Sequence, residues 1–214
     1  MKIWITGSKG MLGTTICETL KRRDIPYLGS DKSVNITSLI LLEQFLNKHK
    51  GITHIINCAA YTNVDLAEQE KELAYAINAT GIQNLGKLAQ RYQIPILHFS
   101  TDYVFNGAYQ TPYKEEDGCE PIGEYGRTKE QGEAFLLKEC PTASIIRTSW
   151  LFGSNGKNFV ETMLNLMKHH KIIRVVSDQI GRPTYCQDLA NAAIALLDHK
   201  GVYHFANSGS ISWY

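Results

Sequence analysis

The sequence predicts a doubly wound α/β fold, a parallel sheet with helices on both faces. Three observations predict it. Short, near-continuous apolar runs alternate with segments of helical period, as expected of strands buried on both faces and joined by crossover helices. A glycine-rich turn, Gly7-Ser8-Lys9-Gly10-Met11-Leu12-Gly13, joins the first apolar run directly to the first helical segment. No repeat or low-complexity linker interrupts the alternation over 214 residues, a length suited to one well-buried domain with a small appendage.

Taken in order, Met1 to Thr6 reads as a strand, and Leu12 to Arg22 as a helix with Ile16 and Leu20 on one face. Strand-like runs follow at Pro26 to Gly29, with the second strand carried on to Asp31, and at Thr53 to Cys58, Ile94 to Ser100 and Ala143 to Thr148. Helical segments lie between them at Ser38 to Lys48, Glu70 to Tyr92 and Tyr125 to Lys138. After Phe152-Gly153 the pattern changes. It predicts a helix over Asn158 to His170, a strand near Ile172 to Val176, a loop over Ser177 to Thr184, a helix over Gln187 to Leu197 and a strand over Val202 to Ala206. A polar-capped helix is expected to begin at Ile211-Ser212-Trp213-Tyr214.

A strand, a G-x-x-G-x-x-G turn and a helix in that order form a dinucleotide site. A turn without side chains lets a doubly charged pyrophosphate reach backbone N–H groups at the positive end of a helix. Residues 1–152 are therefore read as a dinucleotide-binding Rossmann domain, and residues 153–214 as a partial substrate-binding portion interleaved with late sheet elements.

Composition narrows the partners. A formal charge of +1 offers no electrostatic reason to expect nucleic acid or an anionic membrane. No apolar run approaches the roughly 20 residues that a membrane-spanning helix needs. The N-terminus lacks a signal-peptide layout, because the first strand starts at once. Five scattered cysteines (Cys17, Cys58, Cys119, Cys140, Cys186) without a C-x-x-C pair suit neither a disulfide framework nor a zinc site. A cytoplasmic protein without a metal is expected, with Cys17 and Cys58 as core residues.

Two places carry chemistry. Asp31 stands where an acid usually binds the adenine ribose, which favours NAD, but Lys9 and Lys32 would offer two cations to a 2′-phosphate. The cofactor is thus NADPH or NADH, with a lean to NADPH. The run Ser100-Thr101-Asp102-Tyr103-Val104-Phe105 sets polar groups at the carboxyl end of a central strand, facing the ligand crevice. Farther on, Tyr125 and Lys129 are four apart and share a helical face. That spacing alone proves nothing; its weight comes from following the glycine turn and the S-T-D strand end in order. A phenol near pKa 10 is a poor acid or base at neutral pH. An ammonium one turn away is expected to favour the phenolate and bring that pKa down. Thr101 would hydrogen-bond a substrate carbonyl oxygen as hydride arrives, and Tyr125 would deliver the proton.

With these residues in place, the chain resembles the extended short-chain dehydrogenase/reductases, and within them the dTDP-4-dehydrorhamnose reductase family. The resemblance rests on Gly7 to Gly13, Asn57-Cys-Ala-Ala-Tyr-Thr-Asn-Val-Asp65, Ile77-Asn78-Ala79, Ser100 to Phe105, Tyr125-Gly-Arg-Thr-Lys129, Arg147-Thr-Ser-Trp150 and Asp178-Gln-Ile-Gly-Arg-Pro-Thr184. It implies NAD(P)H-dependent reduction of the 4-keto group of dTDP-4-dehydro-6-deoxy-L-mannose to dTDP-L-rhamnose, with Tyr125, Lys129 and Thr101 as the catalytic residues. By the same resemblance Gly7, Gly10, Met11, Leu12 and Gly13 would meet the pyrophosphate, Asp31 the ribose, and Asn35 and Ile36 the adenine. Ala60, Tyr61, Thr62 and Phe99, with Tyr125 and Lys129, would line the rest of the cofactor channel. Thr101, Asp102 and Trp150 would contact the nucleotide sugar. Core packing for Trp150, and a buried amide capping backbone groups for Asn78, are equally open readings.

Thr15 stands where some members carry a glutamate that takes part in a magnesium-bridged dimer. A carboxylate is the natural magnesium ligand, so neither the metal nor that dimer carries over; a homodimer by another interface stays an expectation. The family's chain normally continues beyond Trp213-Tyr214, so an incomplete substrate-covering part is expected. Two other readings stay open: a non-catalytic cofactor-binding regulator resembling the regulatory subunit of methionine adenosyltransferase, and a nucleotide-sugar epimerase or dehydratase that keeps its cofactor oxidised and tightly held.

Overall fold

A computed structural model describes residues 1–214. β1 (Ile3–Thr6) is buried throughout and passes through the glycine turn into α1 (Met11–Arg22), whose Leu12, Ile16 and Leu20 face the sheet. β2 (Tyr27–Gly29) pairs with one side of β1. α2 (Leu39–Lys48) is capped by the Ser38 hydroxyl, which accepts from Leu41 N–H, and β3 (His54–Asn57) takes the other side of β1. Next come α3 (Lys71–Tyr75), a π-helical turn (Ala76–Thr80) and α4 (Gly81–Tyr92). They are followed by β4 (Ile96–Thr101), α5 (Glu124–Glu139) and β5 (Ser144–Thr148). The remainder holds β6 (Leu151–Phe152), α6 (Phe159–His169), β7 (Ile180–Gly181), β8 (Thr184–Tyr185), α7 (Cys186–Ala195), β9 (Gly201–His204) and β10 (Ile211–Ser212).

Six strands form one parallel sheet in the order β2-β1-β3-β4-β5-β9. Successive connections run one way from β1 to β2 and the other way from β3 onward. The carboxyl ends of β1 and β3 therefore open the crevice in which such folds bind ligands. One core, built on Trp4, Leu42, Leu85, Leu88 and Leu136, joins the sheet to α2, α4 and α5. The other, built on Ile16, Leu20, Leu97, Ile146 and Leu189, joins it to α1 and α7. Cys17 and Cys58 pack partly buried against this second core, and all five cysteines are free thiols.

Several boundaries differ from the sequence reading. The second strand ends at Gly29, because beyond it Ser30 turns to bond the glycine loop: its O accepts from Ser8 N–H at 3.0 Å. The helix expected over Glu70 to Tyr92 is interrupted by the π turn, which turns Asn78 inward to bond both backbone groups of Tyr61. Ile172 to Val176 forms no strand, since β9 occupies the sheet position beside β5, and Ile172 is left 82% exposed. The loop expected over Ser177 to Thr184 contains β7 and the start of β8. Instead of a helix, Ile211–Ser212 is a strand antiparallel to β7, and this pairing sets Trp213 on the Trp150 ring.

Candidate active site

The glycine turn forms an uncapped helix N-terminus. Gly10 is the N-cap residue and offers no side-chain bond, and the first α1 bond runs from Thr14 N–H to Gly10 O. The N–H groups of Met11, Leu12 and Gly13 precede that bond and stand ready for an anion. Gly7 adopts φ +62°, and a Cβ there would lie 2.6 Å from Ala59 N, so the turn packs on the end of β3 only as glycine. These residues fit a dinucleotide pyrophosphate.

Asp31 lies just past β2, partly buried, with Lys9 and Lys32 exposed around it. Asn35 is exposed, and its Oδ1 accepts from Thr37 N–H at 3.0 Å. The Ile36 side chain is turned into the core, while its carbonyl accepts from Asn84 Nδ2 at 3.2 Å. Beyond β3, Ala60 is half-buried and Thr62 exposed. Tyr61 is buried, with its hydroxyl donating to Glu70 Oε2 at 2.7 Å. Asn78 Oδ1 accepts from Tyr61 N–H at 2.8 Å, and its Nδ2 donates to Tyr61 O at 3.0 Å. Asn78 thus acts as a buried amide that caps backbone groups.

Thr101 closes β4 in the buried layer, its hydroxyl donating to Asp102 Oδ1 at 3.1 Å and accepting from Tyr103 N–H at 3.2 Å. α5 approaches this loop so closely that a Cβ on Gly126 would lie 2.2 Å from Tyr103 O. That contact brings Tyr125, in the first turn of α5, edge-on to Tyr103 with ring centroids 5.6 Å apart. The Thr101 hydroxyl is the neighbour that works to lower the Tyr125 phenol. Burial pushes the Asp102 carboxyl up to about 6, against the bond from Thr101.

The Tyr125 phenol is not brought down, contrary to what its spacing from Lys129 predicts. Burial pushes the Tyr125 phenol up to about 12, and the opposing influence is Thr101. Lys129 Nζ donates to Phe99 O at 2.6 Å and lies 3.3 Å from His98 Nε2. Burial pushes Lys129 itself down to about 8.

Residues the sequence reading left without a role hold this geometry. Glu133, one turn beyond Lys129, binds Arg147 Nη2 at 2.7 Å and Nε at 3.1 Å; both residues are buried, and together they pin α5 to β5. His98 breaks an otherwise apolar run, Ile94 to Phe99, and that was the available signal. Trp150 adopts φ +47°, a conformation costly for a bulky side chain. Its ring packs on Gly181 and stacks on Trp213 with centroids 3.7 Å apart.

The family described as RmlD substrate binding domain matches residues 1–214. The chain belongs to this family. Among RmlD-family relatives, dTDP-4-dehydrorhamnose reductase of Aggregatibacter actinomycetemcomitans is 41% identical over 224 residues, covering 100% of this chain and 76% of the relative. Spore coat polysaccharide biosynthesis protein SpsK of Bacillus subtilis is 41% identical over 215 residues, with the same coverage of each. The crystal structure of dTDP-4-dehydrorhamnose reductase from Bacillus anthracis in complex with NADP superposes with a TM-score of 0.95 at 40% identity. That superposition covers 99% of this chain and 77% of the other. No helix of this RmlD-family chain is long and apolar enough to cross a membrane.

Proposed function

We propose that this chain is an NADPH-dependent oxidoreductase that reduces the 4-keto group of dTDP-4-dehydro-6-deoxy-L-mannose, giving dTDP-L-rhamnose. The observation that carries this reading is the convergence of Thr101, Tyr125 and Lys129 beside the crevice between β1 and β3, in a chain 41% identical to a dTDP-4-dehydrorhamnose reductase.

The N–H groups of Met11, Leu12 and Gly13 hold the pyrophosphate, which passes over the bare backbone of Gly10, Gly7 keeps the turn open, and Asp31 takes the ribose hydroxyls. Asn35 and the backbone at Ile36 border the adenine, and Ala60, Tyr61, Thr62 and Phe99 wall the channel towards the nicotinamide. When bound, NADPH supplies the hydride that adds to C4 of the sugar. Thr101 donates a hydrogen bond to the C4 oxygen as it gains charge. Tyr125 gives that oxygen its proton, and a phenol pushed up to about 12 is fully protonated at neutral pH, the form a proton donor needs. Lys129 holds the nicotinamide ribose hydroxyls. Asp102 and Trp150 contact the nucleotide sugar.

Residues 1–152 carry the cofactor, and residues 153–214 the substrate side, with α7 and β9 returning to complete the sheet. Five free thiols support a cytoplasmic setting. The exposed apolar face of α6, with Leu164 and Met167 more than half exposed, supports a homodimer.

The test is the loss of reduced-nicotinamide absorbance when the protein is mixed with enzymatically made dTDP-4-dehydro-6-deoxy-L-mannose and NADPH or NADH. Consumption that depends on the sugar, faster with NADPH, is the expected result. Cofactor binding without consumption overturns the reductase reading in favour of a regulatory role, and NAD⁺ retained through purification points to an epimerase or dehydratase.

A further inference from the structure

A row of polar side chains crosses the sheet beneath the catalytic pair. Thr6, Asn57 and His98 stand opposite one another on β1, β3 and β4. Together with Lys129, none of them is more than 2% exposed. Thr6 Oγ1 donates to Asn57 Oδ1 at 2.5 Å, Asn57 Nδ2 lies 2.8 Å from His98 Nδ1, and His98 Nε2 lies 3.3 Å from Lys129 Nζ.

Backbone groups decide which way the protons run along this row. Asn57 Oδ1 accepts from Ala59 N–H at 3.3 Å, and Asn57 Nδ2 donates to Ala59 O at 3.3 Å. A backbone N–H cannot accept and a carbonyl cannot donate, so the amide has one satisfactory orientation. Asn57 Nδ2 therefore donates to His98 Nδ1, which must be bare. The ring proton sits on Nε2, and a second proton on Nδ1 would face another donor. A neutral His98 thus aims an N–H at Lys129 Nζ. The lone pair of an amine can accept that proton; an ammonium has none to offer. The other contact of Nζ, Phe99 O at 2.6 Å, accepts from both forms and more strongly from the charged one, so it works against His98.

We propose that His98 is a positioning residue: fixed by Asn57 as a neutral Nε2–H donor, it orients the Lys129 amine and favours its uncharged form. The charges around the pair permit this. On α5, Glu133 is the carboxylate that acts on Lys129, and its charge is taken up by Arg147 of β5. Tyr125, one turn the other way, is held protonated by burial. Burial also pushes Lys129 down to about 8, and burial together with the Lys129 charge pushes His98 well below the usual imidazole range. A histidine that only filled space would need its volume and no particular tautomer. The kinetic consequence rests on the reductase reading: the alkaline limb of the kcat–pH profile belongs to Lys129 and is set by His98.

The test uses the full, cofactor-free chain. In nitrogen-labelled histidine spectra, His98, identified by its through-space contacts to the Lys129 methylenes, is expected as the Nε2-protonated tautomer and not to titrate across the neutral range. A proton on Nδ1, or a titrating ring, overturns the proposal. In H98Q, whose side-chain oxygen can accept from an ammonium, the titration midpoint of Lys129 read from carbon-labelled lysine is expected to rise by about one unit, a tenfold change. An unchanged midpoint overturns it as well. If H98Q does not fold, the wild-type tautomer decides alone. Neither readout needs turnover: an active reductase with the wrong tautomer sinks only the His98 proposal, and the expected tautomer in a protein that reduces no keto sugar sinks only the reductase reading.

Discussion

The end of the sheet that carries Tyr125 and Lys129 and the segment from α6 to β7 are built on opposite terms. Around the pair, ionisable groups are buried and each has a specific partner: Lys129 with Phe99 O, Glu133 with Arg147, His98 with Asn57. From Phe159 to Gly181 no residue is fully buried, and Ile172, Met167 and Ile180 are each at least 65% exposed. The end around Tyr125 and Lys129 is therefore over-determined by this chain's own contacts, whereas α6 offers apolar surface that nothing in these 214 residues covers. The difference teaches that buried polar pairs fix one end of the sheet, while the α6 to β7 segment is left available for covering.

Four measurements break or sharpen that contrast. The largest effect is expected at the catalytic end, where Tyr125→Phe removes the proton donor. Turnover should fall by about 10² to 10⁴ while cofactor affinity, read by fluorescence titration, stays the same; full activity in this variant would refute the mechanism. Glu133→Gln leaves Arg147 charged and buried without its partner, which typically costs about 3–5 kcal/mol. Denaturant unfolding should register that loss, and a neutral result would mean that α5 is not pinned there.

The pH dependence comes third. Asp102 is raised from 3.8 to about 6 by burial, so between those values the folded protein binds more protons than the unfolded chain. Stability contributed by its protonation is present below about pH 4 and is lost as pH rises through about 6. At about 1.4 kcal/mol per unit, the effect is on the order of 3 kcal/mol. Asp102→Asn should flatten that part of the stability–pH curve. The smallest effect belongs to the other region: Leu164→Gln on the exposed face of α6 should shift monomer stability by no more than about 0.5 kcal/mol. The same change should lower self-association in light scattering, and a large loss of stability would show that the α6 face is packed after all.

Much of the fold and part of the site were legible in the residues. The glycine turn, the S-T-D strand end and the Tyr125–Lys129 spacing are local patterns, and a buried parallel strand announces itself as an apolar run. Misreadings clustered where local pattern competes with long-range pairing. Ile172 to Val176 has strand composition but no free sheet position, and Ile211–Ser212 looked like a helix start until β7 supplied a partner. Helical spacing puts Lys129 on the face of Tyr125 without saying how deeply the phenol is buried, and burial is what raises it. In the fold the Lys129 amine turns to Phe99 O and His98.

By itself the sequence determined the alternation of elements and the crevice at the glycine turn, and it singled out Thr101, Tyr125 and Lys129 as candidates, because each follows from period and order along the chain. Only the tertiary structure decided how those groups are held. Thr6, Asn57, His98 and Lys129 meet through strand register and helix docking, and Glu133 meets Arg147 across α5 and β5. Such pairings join residues far apart in the chain, and a hydrogen bond requires its two atoms to lie within about 3 Å of each other, a condition that no local pattern encodes.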